Sequence, residues 1–380
     1  MSHKNIVVIT GEASGDAHAA RMIIELKQLR PDITVKGIGG DNMLAAGAEI
    51  MVDFSELAVM GIVEVLKRYR HIKNIFNQLV VELKANKPDL LVLVDYPGFN
   101  LKLAKQAKKL GIPVLYYISP KVWAWRAGRV KTIKRYVDKM AVLFPFEVPI
   151  YENAGMPVSC VGHPLVDAVK NTLTSKQAKI KIGLKLNRRV VGLFPGSRRS
   201  EIDNLLPMML DAADRIQRQN SNVDVVLPLA PGIDEAYINS ILAESTVPVK
   251  VVKDKFYELT AACDAIVAAS GTVTLEIALL GVPHFITYRV SPISYHILSR
   301  LIKIPYVGLC NIVTGKPVVL ELLQDNVTAE RLETELTTLL ADPSSKTRAE
   351  KIQKQVLKAL GPSGGAHNVA QEILNMLDKY

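Results

Sequence analysis

Residues 90–100 read LLVLVDYPGFN, five consecutive apolar residues followed by an acidic residue and a Pro-Gly turn. A strand covered on both faces of a parallel sheet is continuously apolar, whereas a strand with one wet face alternates with polar residues. Similar short runs occur at residues 5–9, 114–117 and 140–143, each between helical patterns. The first half of the chain is therefore predicted to form a parallel α/β sheet.

A second series of the same kind follows a polar, basic stretch at residues 170–189, part of which we interpret as a linker. Its predicted strands are residues 190–194, 223–227, 249–252, 265–268 and 285–288. We predict two Rossmann-like domains facing a cleft, residues 1–168 and 186–345. In such sheets ligands bind beyond the carboxyl ends of the strands.

Composition narrows the functional class. The 380 residues include 47 Lys and Arg against 37 Asp and Glu, which gives a net charge of +10 and predicts an anionic partner. Three scattered cysteines argue against disulfides and structural zinc and favour a reducing cytoplasm. No apolar stretch reaches the roughly 20 residues of a spanning helix. The expected protein is soluble, or sits on a membrane surface.

The polar motifs of the first half follow predicted strands. Glu12, Ser14, Asp16 and His18 come after the first strand, where Ser14 or Asp16 could cap the next helix or the group could face a ligand. Asp95 ends the strand at residues 90–94. Desolvation there would make it a better general base, and the alternative is an aspartate that holds its own turn.

The segment 119–126 contains both tryptophans of the chain and two basic residues, Lys121 and Arg126. Trp123 and Arg126 could bind a sugar face and a phosphate. They could equally plug an aromatic interface, and spacing alone leaves both interpretations open.

Two glycine turns in the second half resemble each other. Both precede a predicted helix, whose first amide N–H groups can bind an anion. The candidate residues are Gly196, Ser197 and Arg198 in the first turn, and Ser270, Gly271, Thr272 and Glu276 in the second. With no DxD metal motif in the chain, they predict a metal-free nucleotide-diphosphate site, with Glu276 on the ribose hydroxyls and no cofactor.

Residues 306–311 read as a strand and a loop, in which Cys310 is interpreted as a small buried hydrophobic residue.

An apolar stretch near residue 60 is more unusual. On a helix its side chains would cover more of the circumference than one core-facing stripe needs, and basic residues follow it at 67–73. Either this is a well-buried helix or a membrane-docking patch. Its residues are Val59, Met60, Ile62, Val63, Val65 and Leu66.

Other classes fit less well. No nucleic-acid-binding motif accompanies the basic charge, so we expect no nucleic-acid partner. No GxSxG elbow is present, which disfavours a Ser-His-Asp hydrolase.

Together these segments resemble the lipid-A-disaccharide synthase family of inverting GT-B glycosyltransferases. The matching motifs run in order over nearly the whole chain: GEASGD (11–16), ELAVMGIVEVL (56–66), DYPGFN (95–100), SPKVWAW (119–125), LFPFE (143–147), GHP (162–164), PGSR (195–198), SGTVTLE (270–276) and the loop with Asn311. Cys310 stands where the family has proline.

The resemblance implies transfer of 2,3-diacylglucosamine from its UDP derivative to 2,3-diacylglucosamine 1-phosphate (lipid X), giving a β-1,6-linked disaccharide 1-phosphate and UDP. It implies Asp95 as the general base, and Arg198, Glu276 and Asn311 at or supporting the nucleotide-sugar site. It favours docking of residues 59–73 on the anionic inner face of the inner membrane. By fold analogy the last helix, about 362–380, joins the first domain; a homodimer is also considered.

Two alternatives remain at this stage. One is another GT-B enzyme acting on UDP-sugars, such as an epimerase or a transferase with a soluble acceptor, which would not need the apolar surface. The other is a non-catalytic protein that binds nucleotide sugars or phospholipids. Replacing Asp95 separates the two classes, because only an enzyme would lose turnover.

Overall fold

The computed structural model describes residues 3–57, 62–124, 127–169, 173–291, 295–296 and 304–380, and only the backbone of residues 62–68. The chain divides into two compact units. The first comprises Met1–Asp167 together with Leu360–Tyr380, and the second comprises Ala168–Ala359.

The first unit is built on a seven-stranded parallel sheet with the order β3-β2-β1-β4-β5-β6-β7. Its strands are β1 (Lys4–Ile9), β2 (Ile33–Gly39), β3 (Glu49–Asp53), β4 (Leu90–Val94), β5 (Val114–Tyr117), β6 (Lys139–Val142) and β7 (Val158–Cys160). Its helices are α1 (Ala13–Leu29), α2 (Asp41–Ala45), α3 (Ile62–Ala85), α4 (Pro97–Lys109), α5 (Arg129–Tyr136), α6 (Val148–Glu152), α7 (Leu165–Ala168, at the unit boundary) and the last helix of the chain.

The second unit has a six-stranded parallel sheet with the order β10-β9-β8-β11-β12-β13. Its strands are β8 (Arg189–Phe194), β9 (Val223–Pro228), β10 (Val249–Val252), β11 (Ala265–Ala269), β12 (His284–Tyr288) and β13 (Glu321–Leu323). Its helices among the described residues are α8 (Ser175–Lys181), α9 (Arg199–Gln219), α10 (Glu235–Leu242), α11 (Phe256–Ala262), α12 (Thr272–Leu279), α13 (Leu309–Thr314), α14 (Ala329–Ala341) and α15 (Ser345–Leu360).

Successive residues of the central strands enter two different cores, which explains their continuously apolar sequences. In β4, Val92 packs in the core beneath α1, whereas Leu91 and Leu93 pack in the core beneath α3 and α4. The second sheet repeats the arrangement, with Val191 in one core and Val190 in the other. Both faces of each sheet are therefore covered.

The last helix, α16 (Gly365–Lys379), packs on the first unit. Val369 and Ile373 are buried in the same core as Ile23 of α1. Lys139 of β6 also forms an ion pair with Glu372 at 2.5 Å. Helix α16 thus completes a core that begins with the first strand of the chain.

Several sequence expectations need correction. Strands β2, β3, β7 and β13 were not predicted, and residues 309–314 form helix α13 where a strand and loop were expected. The second unit also extends past the predicted boundaries, because α8 contributes Ala178 to its core and α15 lies within it.

Candidate active site

Each sheet has one point at which the strand order reverses. In the first sheet this point lies between β1 and β4, which are hydrogen-bonded neighbours, and in the second between β8 and β11. The motifs that begin at Gly11 and Asp95 follow the first pair, and those at Gly196 and Ser270 follow the second. Ligands of open α/β sheets bind at such switch points, so both edges are candidate sites.

Asp95 lies directly after β4 and is half-buried. Burial and the negative charge of Glu12 together raise the pKa of its carboxyl group to about 6, against the opposing effects of a hydrogen bond from the Tyr96 amide and the positive charge of Lys121. Among the described residues, no side chain donates a hydrogen bond to the carboxylate. A carboxylate that is ionised above about pH 6 and receives no side-chain donor from the described residues is suited to accept a proton.

The backbone around Asp95 is held in an uncommon conformation. Asp95 and Tyr96 have φ of 45° and 46°, and Ile118, after the neighbouring strand β5, has φ of 69°. The Asp95 carbonyl accepts hydrogen bonds from Asn100 Nδ2 at 2.8 Å and from the Tyr116 hydroxyl at 2.5 Å. Non-glycine residues with positive φ persist where their surroundings fix them, and they cluster at functional sites.

The segment after β1 divides into structural and exposed residues. Asp16 is fully buried, and its carboxylate accepts hydrogen bonds from the backbone of Gly40, Asn42 and Met43 and from Asn42 Nδ2, at 2.7 to 3.2 Å. It thus caps the start of α2, and it cannot contact a ligand. Neither Asp16 nor Ser14 caps α1, because the N-cap is Glu12 without a side-chain bond. Glu12 and Ser14 are exposed, and the Ser14 hydroxyl donates to Glu12.

His18 lies one turn further into α1, near His163. Burial lowers the pKa of both imidazoles to about 4, and for His163 the charge of His18 contributes. His163 Nδ1 accepts a hydrogen bond from the Leu165 amide at 3.2 Å, while His18 Nδ1 is buried without a partner. Both rings are therefore neutral near pH 7. His163 was not identified as a site residue from the sequence.

Trp123 belongs to an aromatic cluster in the first unit. Its indole Nε1 donates to Glu147 Oε1 at 3.2 Å, and its ring meets Phe146 edge to face. Phe144 stacks on both Phe146 and His163. Burial raises the pKa of Glu147, which is 3% exposed, to about 7. The half-buried Trp123 thus has a structural role here.

No periodic pattern marked Glu147, so the sequence analysis missed it. Arg126, the predicted phosphate ligand beside Trp123, lies outside the described residues.

In the second unit, the turn after β8 binds a carboxylate of the chain itself, that of Glu201. Glu201 Oε2 accepts hydrogen bonds from the amides of Ser197 at 3.1 Å and Arg198 at 3.3 Å, and Glu201 Oε1 pairs with the Arg198 guanidinium at 2.7 Å. The predicted amide donors are present, and an internal carboxylate occupies them. The Arg198 side chain is 78% exposed.

The turn after β11 is more open. A side chain at Gly271 would meet nothing within 4 Å, and the Ser270 hydroxyl donates to the Val307 carbonyl at 2.8 Å. Thr272 begins α12 and is exposed. One turn later the half-buried Glu276 accepts a hydrogen bond from the Tyr257 hydroxyl at 3.3 Å, and burial raises the pKa of its carboxyl group. This open helix start can accommodate an anionic group.

Asn311 is fully buried, and its amide group is fully used. Nδ2 donates to the Val319 carbonyl and to Glu321 Oε1, and Oδ1 accepts from the Val319 amide. Glu321 also accepts from the amides of Val307 and Gly308 at 2.9 Å. Asn311 therefore supports the loop that receives the Ser270 bond. Its side chain is fully buried and does not bind a ligand directly, as a residue of the nucleotide-sugar site was expected to do.

The neighbouring Cys310 is fully buried, and this burial raises the pKa of its thiol to about 12. Both observations agree with the interpretation of Cys310 as a small hydrophobic residue.

The apolar patch near residue 60 falls largely outside the described part of the chain. Val59 and Met60 are not described, and of Ile62, Val63, Val65 and Leu66 only the helical backbone of α3 is. None of the helices among the described residues is both long and apolar enough to span a bilayer. Within the same residues no three His, Cys, Asp or Glu side chains group as metal ligands would.

Comparisons with known proteins agree over the full length. A family model described as lipid-A-disaccharide synthetase matches residues 6–373. The chain is 49% identical over 378 residues to a protein of Geobacter sulfurreducens named lipid-A-disaccharide synthase, covering 100% of this chain and 98% of that one.

Two solved structures resemble the chain at 16% identity. The calicheamicin glycosyltransferase CalG4 has a TM-score of 0.61 and covers 100% of this chain and 99% of its own. The UDP-GlcNAc 2-epimerase of Neisseria meningitidis bound to UDP-GlcNAc has a TM-score of 0.62 and covers 99% of this chain and 100% of its own. At this identity the likeness shows the fold alone, two Rossmann-like domains of the GT-B type.

Proposed function

Because the chain belongs to the lipid-A-disaccharide synthase family of glycosyltransferases, we propose that it transfers 2,3-diacylglucosamine from its UDP derivative to lipid X. The acceptor 6-hydroxyl oxygen attacks the anomeric carbon as the bond from that carbon to the UDP oxygen breaks. UDP leaves with the bonding electrons, and the hydroxyl proton passes to a base. The product is the β-1,6-linked disaccharide 1-phosphate.

Asp95 is the base, and its environment is the observation that carries the proposal. The residue follows β4 at the switch point, and its carboxyl pKa is raised to about 6 by burial. A base with a pKa near the working pH combines ionisation with proton affinity. The left-handed backbone at Asp95 and Tyr96 supports this role, because it fixes where the carboxylate lies.

The nucleotide of the donor binds to residues of the second unit. The amides at the starts of α9 and α12 and the guanidinium of Arg198 can neutralise the charge that develops on the leaving diphosphate. Glu276, half-buried beside Tyr257, accepts hydrogen bonds from the ribose hydroxyls. Asn311 acts indirectly, since its bonds to Val319 and Glu321 hold the neighbouring loop.

The test is incubation of the purified protein with UDP-2,3-diacylglucosamine and lipid X, with mass spectrometry for the disaccharide 1-phosphate. Asp95→Asn should lower kcat by about a thousandfold or more, because the amide cannot accept the proton, while UDP affinity changes less than about twofold.

Asp32→Asn is the matched control, since Asp32 is a surface carboxylate paired with Arg30. Wild-type turnover in Asp95→Asn would remove Asp95 from the mechanism, and absence of product from the wild type would reject the proposed reaction.

The acceptor and donor both carry acyl chains, and we place membrane contact at the start of α3. Later along this helix Ile75, Leu79 and Leu83 are buried, whereas Tyr69 and Lys73 are exposed. Ile62 and Leu66 belong to the apolar stretch at the start of this helix, and Lys67, Arg68 and Arg70 follow it in the sequence. Apolar residues followed by basic ones suit an anionic bilayer surface.

Replacing Ile62 and Leu66 together by Glu should reduce binding to vesicles containing anionic phospholipid by about tenfold or more, as measured by co-sedimentation. The matched control is Leu44→Glu with Val81→Glu, which adds the same charge at two exposed apolar positions of the same unit (57% and 67% exposed). Equal vesicle binding by the two double variants would reject the patch.

A further inference from the structure

Glu201 occupies the hydrogen-bond donors that the proposed function assigns to the nucleotide. Its carboxylate accepts from the amides of Ser197 and Arg198 and pairs with the Arg198 guanidinium at 2.7 Å. Amide groups at a helix start together with an arginine form a common phosphate-binding arrangement. In this structure the arrangement is complete, with the carboxylate of the chain itself in the place of the anion.

The turn fits closely around this carboxylate. Gly196 has φ of 113°, and a Cβ added there would overlap Glu201 Oε2. Tyr288, at the end of β12, faces the same group: burial raises the pKa of its phenol, the charge of Glu201 raises it further, and Arg198 opposes the shift. A phosphate entering the turn would therefore meet a resident negative charge.

We infer that Glu201 is a displaceable internal anion that the nucleotide diphosphate must expel before Arg198 and the two amides can bind it. The inference rests on the proposed function. Two anions cannot share these donors, because like charges at hydrogen-bond distance repel strongly. Expulsion is feasible because the Glu201 side chain is 22% exposed on the first turn of α9 and Arg198 is largely exposed.

This exchange has a consequence for turnover. Each charge-assisted bond gained by the diphosphate replaces one lost by Glu201, so the net affinity for UDP is lower than the same donors would give without the carboxylate. When the product leaves, Glu201 returns to the amides. The residue thereby favours release of UDP.

The test is a calorimetric titration with UDP of the wild type, Glu201→Gln and Asp203→Asn. Gln keeps an acceptor for the amides and removes the charge, so Kd for UDP should fall by about tenfold. The inhibition constant of UDP as a product should fall by a similar factor. Asp203→Asn removes a charge two residues away on the same turn, where the carboxylate accepts from the Tyr237 hydroxyl, and should change Kd by less than about twofold.

The outcomes separate the inference from the proposed function. If the wild type fails to bind UDP, the nucleotide site itself is wrong. If the wild type binds UDP and Glu201→Gln binds it equally or more weakly, Glu201 is only a helix cap and the inference is overturned. An equal gain in Asp203→Asn would also overturn it, since long-range charge would then explain the effect. Glu201→Asp, which keeps the charge on a shorter side chain, should show a smaller gain than Glu201→Gln.

Discussion

The switch-point edges of the two sheets are alike in topology and opposite in chemistry. At the edge formed by β1 and β4, Asp95 has no side-chain hydrogen-bond donor among the described residues, and burial raises its pKa to about 6. At the edge formed by β8 and β11, Glu201 receives two amide N–H groups and a guanidinium. Topology therefore determines where a ligand can bind, and the local donors determine whether a carboxylate there is reactive or neutralised.

The largest expected contrast lies in the pH dependence of turnover. With a raised pKa, Asp95 is ionised above about pH 6 and protonated below it, so kcat/KM should fall about tenfold per pH unit below 6 and about a hundredfold by pH 4. Steady-state kinetics in buffers of constant ionic strength would measure this.

The buried Glu147, whose pKa is about 7, is the group most easily confused with Asp95. Glu147→Gln should keep the acid limb near pH 6. Loss of that limb in Glu147→Gln would assign it to Glu147.

Within the first unit, two aspartates should respond to amidation in opposite ways. Asp16→Asn loses acceptors for the buried donors of residues 40–43, and should lower the free energy of unfolding by about 2–4 kcal/mol. Urea denaturation at pH 7 measures the change.

Asp95→Asn is the contrasting variant. A carboxyl group whose folded-state pKa is raised from 3.8 to about 6 weakens the native state as pH rises through that interval, and its penalty remains at higher pH. Asp95→Asn should therefore be more stable than the wild type at pH 8 and similar to it near pH 4. A stabilised Asp16→Asn, or an Asp95→Asn destabilised at pH 8, would contradict these roles.

The smallest expected effect concerns the second edge. Glu276→Ala should raise KM for the UDP-sugar about five- to tenfold with kcat within about threefold, because a hydrogen-bonding contact to the ribose is lost in ground and transition states alike. Tyr257→Phe, which removes only the hydroxyl that donates to Glu276, is the matched variant and should raise KM less. Unchanged KM in Glu276→Ala would exclude ribose contact.

The central strands were predictable because burial on both faces makes them continuously apolar. Strands β4 and β5 lie at residues 90–94 and 114–117, the ranges that the sequence predicts. The edge strands β3, β7 and β13 lack this signal: β7 and β13 have three residues each, and β3 carries polar residues at both ends. Helix α13 was missed because its six residues, LCNIVT, do not show a helical period.

The sequence predicts that the site motifs follow the ends of strands, but it does not predict which of their side chains are free to contact a ligand. Asp16 and Asn311 belong to motifs in the sequence, but only the folded chain shows that buried backbone donors and acceptors use all of their polar atoms. Glu147 and His163 come together from separate elements through Phe144. Their proximity is a tertiary property, which no local spacing encodes.

One packing contact links two motifs that are more than eighty residues apart. The face of Tyr96 rests on Gly11, where even a methyl group would overlap the ring, and the Tyr96 hydroxyl donates to the Leu57 carbonyl. An alanine at position 11 would force the ring of Tyr96, the residue next to Asp95, to move. The two segments can therefore be transplanted into another scaffold, or diversified in a library, only as a pair.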